Sequence, residues 1–106
     1  MNRILISDTP GVIGQKVKLS GRVNIRRDQG KLIFIDLRDQ SGIIQMVVIP
    51  DNIEAYRISG DVCNDDVISV EGLIKKRPGG QEKNENPLDK VEIEVEKIEI
   101  ISHNKN

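Results

Sequence analysis

Gln15-Lys16-Val17-Lys18-Leu19-Ser20-Gly21-Arg22-Val23-Asn24-Ile25-Arg26-Arg27 decides the fold class. Val17, Leu19, Gly21, Val23 and Ile25 share one side of an extended chain, while Lys16, Lys18, Ser20, Arg22, Asn24 and Arg26 share the other. A period of two over so many residues is a half-buried β-strand. Gly21 in its middle lets the strand bend as small barrels require. The break Asp28-Gln29-Gly30-Lys31 reads as a hairpin loop. A second strand is expected over Leu32 to Arg38, a second turn at Asp39-Gln40-Ser41-Gly42, and a third strand over Ile43 to Ile49 that Pro50 closes.

Beyond that meander, Asp51 and Asn52 are helix-capping residues ahead of a short helix that runs to about Gly60. Alternation returns over Asp66 to Arg77 and again over Val91 to Ile101. In the last segment the apolar phase slips between Val95 and Ile98, which predicts a bulge at Glu96-Lys97. Pro78-Gly79-Gly80 through Asn86-Pro87 is too rich in breakers for regular structure. Five strands with one short helix between the third and fourth is the plan of an all-β, five-stranded, Greek-key OB-fold barrel. Its binding surface is strands two and three with the one–two and four–five loops. The barrel is expected over residues 1–102, with 103–106 a frayed tail or the start of a linker.

The 106 residues suffice for one domain, 37% of them hydrophobic and 31% charged. Aromatic residues are only Phe34 and Tyr56, so Ile, Val and Leu must build the core. A net charge of −1 and pI near 5.8 exclude a generally basic nucleic-acid surface, so any such site must be local. With Cys63 as the only cysteine there is no internal disulfide, which fits a cytoplasmic setting, and Cys63 is expected to be buried near the helix end. No stretch has the ~20 apolar residues of a membrane helix.

Phe34 is the most informative residue. If Ile33, Ile35 and Leu37 face the core, Phe34 points outward beside Asp36 and Arg38 and offers a stacking platform for an unpaired base, or else it packs beneath the helix or long loop. Gln45 stands among apolar residues on one face of the third strand, where its amide suits the edge of a stacked base or a free sheet edge. Arg22, Arg26, Arg27 and Lys31 form a basic patch at the first loop, and Lys75, Lys76 and Arg77 a second one before the four–five loop. Either they neutralise phosphates or they are a solvated face. Among Glu92, Glu94 and Glu96, one carboxylate can accept from the amine of cytosine. No catalytic constellation or metal-ligand spacing is present. Asp36 and Asp39, which flank Arg38, read as structural ion-pair partners.

The run Arg26 to Asp39, followed by Ser41-Gly42-Ile43-Ile44-Gln45, resembles the N-terminal anticodon-binding domain of bacterial-type aspartyl-tRNA synthetases. The similarity continues through Asp66 to Gly72, Lys76-Arg77-Pro78 and Val91 to Val95. The resemblance implies that Phe34 stacks on the central anticodon uridine and that Gln45 and Arg27 contact the same base. It also implies that Glu94 helps to read the third base and that Arg77 lies near the first, while Arg26 and Lys31 are expected to support the RNA as members of the basic patch. It further implies a monomeric domain needing no cofactor, within a homodimeric parent whose catalytic domain uses ATP and Mg2+. Arg22 stands where the family commonly has tryptophan, and the segment Gln81 to Pro87 lacks the usual threonine–glycine. The class II catalytic motifs are absent, so the chain is not expected to charge tRNA by itself. An asparaginyl or lysyl homologue, a general single-stranded nucleic-acid binder and a protein-interaction barrel are the competing readings.

Overall fold

The computed structural model describes residues 2–78 and 86–104. Strands β1 (Lys16–Gln29), β2 (Leu32–Asp39), β3 (Gly42–Val48), β4 (Val67–Lys76) and β5 (Val91–Ser102) close into a barrel in the order β1-β2-β3-β5-β4. All neighbours are antiparallel except β3 and β5. Helix α1 (Ile53–Ser59) lies between β3 and β4, as the element order predicts for this fold. The part of the four–five loop at 79–85, including Gln81 and Glu85, lies outside the described residues.

The core follows from the alternation. Val17, Leu19 and Val23 of β1 meet Ile33, Ile35 and Leu37 of β2, Ile44, Met46 and Val48 of β3, and Ile93 and Val95 of β5, all buried. Each such side chain withdrawn from water contributes about 1.5–3 kcal/mol, which compensates for the scarcity of aromatics. Asn52 precedes α1 but does not cap it with its side chain; its Nδ2 donates instead to the Val95 carbonyl at 2.9 Å and fastens the helix to β5.

Several local expectations are corrected. The first hairpin is tighter than its polar composition suggests, because both strands continue until only Gly30 and Lys31 turn, with Gly30 at φ +62°. Ile6–Val12 and Pro87–Lys90 form 3-10 helices that the strand pattern does not predict, the second starting at the last residue of the segment expected to be irregular; the Asn86 side chain caps it by accepting from Leu88 N–H. Asp36 is the structural ion-pair partner expected, with Arg27 as its cation, whereas Asp39 accepts hydrogen bonds from Ser41 and the Ile6 N–H instead. Cys63 is exposed; its neighbour Val62 takes the buried place at the helix end. His103 and Asn104 are held rather than frayed, for Asn104 N–H donates to Asp66 Oδ1 at 2.7 Å and His103 Nδ1 lies 3.0 Å from Oδ2. The bulge in β5 is where the phase slip places it: Val95 pairs with Gly72 and Lys97 with Glu71, leaving Glu96 extra.

The largest correction is in β1. Val23 pairs with Leu37, but Ile25 pairs with Asp36, so a bulge falls at Asn24 and reverses the phase beyond it. Ile25, expected in the core, is 40% exposed. Arg26 shares the inner phase of Ile35 and bonds the Ser59 carbonyl through Nε at 2.9 Å. Arg27 comes to the outer face opposite Phe34.

Candidate nucleic-acid interface

Two rows of side chains cross the outer face where the strands lie side by side. One row is Arg27, Phe34, Val47 and Glu94, each the register partner of the next. The other is Ile25, Asp36, Gln45, Glu92 and Lys75. Alternation along each strand puts these residues on the side away from the core. Together with Gln29, Leu32, Ile49, Arg77 and Pro78, most of them line a groove of about 470 Å³. Phe34 is half-buried on its apolar wall, beside Leu32, Val47 and Ile49.

A chain of polar contacts fills the opposite side. Arg27 Nη2 lies 3.5 Å from Asp36 Oδ1 and 3.4 Å from Gln45 Oε1. Gln45 Nε2 donates to Glu92 Oε1 at 3.1 Å, and Lys75 Nζ bonds Glu94 Oε1 at 3.2 Å. The amide of Gln45 is thereby oriented, its carbonyl toward Arg27 and its NH₂ toward Glu92. Arg27 Nε is the single buried side-chain donor left without a partner among the described residues. A polar atom of that kind is a contact the fold leaves unused. Its neighbours combine an aromatic face, an oriented amide, cations and carboxylates, which suits a planar heterocycle with donors and acceptors on its edge.

Of the seven residues singled out in the sequence, Phe34, Gln45, Arg27, Glu94 and Arg77 meet in this groove. Arg26 and Lys31 do not line it. Arg26 is engaged with Ser59 and Asp28, and Lys31 sits exposed on the hairpin turn. Glu92 and Lys75, which the sequence offered only as members of the glutamate row and of the second basic patch, also belong to the site. Glu92 is 3% exposed beneath Gln45, whereas Glu94, the glutamate chosen from the resemblance, is half-buried beside Lys75. The strand pattern puts both glutamates on the outer phase. Only the parallel register with β3 distinguishes them.

Residues 17–101 match the family profile described as the OB-fold nucleic acid binding domain. The chain belongs to that family. Among curated relatives of this OB-fold domain, the aspartate–tRNA(Asp/Asn) ligase of Dictyoglomus turgidum is 55% identical over 89 residues, covering 83% of this chain and 15% of the relative. The aspartate–tRNA(Asp/Asn) ligase of Geobacillus sp. is 46% identical over 98 residues, 92% of this chain and 16% of the relative. The OB-fold domain thus spans about a sixth of the curated relatives it matches. The solved asparaginyl-tRNA synthetase of Pyrococcus horikoshii, complexed with asparaginyl-adenylate, superposes with a TM-score of 0.80 at 28% identity, over 97% of this chain and 23% of that one. Among the described residues no helix is long and apolar enough to cross a membrane.

Proposed function

We propose that this OB-fold domain binds the anticodon loop of tRNA as part of an aspartate–tRNA ligase. The observation that carries the reading is Phe34, half-buried on the groove wall with Arg27, Gln45 and Glu92 arranged beside it, in a chain 55% identical to an aspartate–tRNA(Asp/Asn) ligase. An unpaired base stacks on Phe34, its edge meets Gln45 and Arg27, Glu94 serves the third anticodon base, and Arg77 the first. Arg26 and Lys31 contribute positive charge near the hairpin. The aspartylation chemistry, with its ATP and Mg2+, belongs to sequence outside this chain; the domain itself works as a cytoplasmic monomer without a cofactor, within a homodimeric parent.

Titration of an aspartate anticodon stem-loop tests this. Phe34→Ala should weaken binding about 5- to 150-fold, the equivalent of roughly 1–3 kcal/mol of stacking, while the barrel stays folded. Equal affinity for unrelated single-stranded oligonucleotides would identify a general binder. Equal affinity for asparagine or lysine anticodon loops would broaden the partner to those tRNAs.

A further inference from the structure

The bulge at Asn24 decides which arginine faces the groove, and the chain between α1 and β4 holds that bulge. Strand β1 pairs with β4 only as far as Arg22–Val67. Beyond that point its free edge is taken up by residues 59–66. Val23 N–H donates to the Asp66 carbonyl at 2.8 Å, and Asp65 N–H donates to the Val23 carbonyl at 2.8 Å, with Asp65 in the left-handed region at φ 71°. Arg26 N–H donates to Asn64 Oδ1 at 3.1 Å, and Arg26 Nε to the Ser59 carbonyl at 2.9 Å. Arg22 Nη1 reaches the Asp65 carbonyl at 3.0 Å. These five bonds flank Asn24 on both sides.

We infer that Asn64 is a positioning residue for the nucleic-acid groove: by accepting the Arg26 N–H it holds the bulge that places Arg27 beside Phe34. Asn64 does not line the groove. It acts through the backbone of the residue next to Arg27. A strand that loses a bulge reverses every side chain beyond it, and here reversal would exchange Arg27 for Arg26 on the binding face. Asn64 supplies the only side-chain acceptor among the five bonds, since the other four end on main-chain carbonyls. The specificity consequence rests on the proposed anticodon reading, whereas the geometric one does not.

The experiment compares Asn64→Ala with Asn64→Asp in the full 106-residue chain. In the free protein, nuclear Overhauser contacts between the Arg27 side chain and the Phe34 ring are followed together with the Arg27 Nε–H resonance. Asn64→Ala should lose those contacts while amide signals across β3, β4 and β5 stay in place, and Asn64→Asp, which keeps the acceptor, should restore them. Binding to an aspartate anticodon stem-loop should fall about tenfold in Asn64→Ala, as expected when one coupled contact is lost, and recover in Asn64→Asp. Unchanged Arg27 contacts in Asn64→Ala overturn the positioning role, and so does altered geometry with undiminished affinity. If the parent chain does not bind the stem-loop, the anticodon reading falls while the Arg27–Phe34 contacts still decide the positioning role.

Discussion

Gly72→Ala is expected to destabilise the barrel by about 3 kcal/mol, the upper end of the range for overpacking, because the atoms it meets cannot yield. Gly72 sits on β4 opposite Val17 on one side and Val95 on the other, just before the β5 bulge. A methyl group built there would overlap the Glu94 carbonyl oxygen and crowd the Ile93 side chain. The obstacle is backbone, so no rotamer change relieves it. The methyl group must instead push β5 outward, carrying Glu94 with it. Urea unfolding should show a lower midpoint with an unchanged slope, and any folded fraction should bind RNA more weakly because Glu94 lines the groove. Gly21 is constrained in the same way by the Arg38 carbonyl. The bend inferred for Gly21 from sequence is therefore also a close approach of two main chains.

Asp66→Asn should cost about 2–3 kcal/mol although it changes no heavy-atom position. Asp66 is fully buried, and each carboxylate oxygen accepts a backbone N–H: Oδ2 from Cys63 at 2.9 Å and Oδ1 from Asn104 at 2.7 Å. His103 adds a third contact on Oδ2. An amide has one acceptor oxygen, so its NH₂ must confront one of those donors, and the hydrogen bond to a charged acceptor is lost as well. Burial by itself raises the Asp66 carboxyl pKa, but the bonds from Cys63, Asn104 and His103 outweigh it and hold the group below 3.8. Asp39 follows the same pattern, burial raising it and bonds from Ser41, Ile6 and Gly42 bringing it below 3.8.

The sign of the pH dependence follows. A carboxylate depressed in the folded state stabilises above its unfolded pKa, and that stability drains away as pH falls through the folded value. Unfolding free energy should therefore hold down to about pH 4 and decline below it. Asp66→Asn should show a shallower decline, because only Asp39 of this pair still takes up a proton. Chemical unfolding at a series of pH values checks both statements, and an equally steep decline in the variant would assign the acid sensitivity elsewhere.

Much of the site was legible because it is built from single strands. In β2 the alternation is unbroken, so the outward placement of Phe34 follows from sequence spacing, whereas β3 is buried without interruption from Ile44 to Val48 and Gln45 is placed by its pairing with Asp36. The β5 bulge was legible too, since the apolar phase itself slips. The β1 bulge left no such trace. Ile25 continues the apolar phase of Val23 by composition, and only the docking of residues 59–66 against the strand edge reverses it. Likewise, the choice of Glu92 as the partner of Gln45 depends on the register of two strands more than forty residues apart in the chain.

By itself, the sequence determined the β-class, the succession of strands and helix along the chain and the strand phase that Phe34 shares with Asp36 and Arg38, because period and turn chemistry are local properties of a chain. Tertiary structure alone decided which arginine stands beside Phe34, which glutamate lies under Gln45, and that Asp66 binds the chain at His103 and Asn104. Each of those depends on a register or an edge contact between distant segments, and hydrogen bonds across a closed barrel, not the spacing of side chains along one strand, set that register.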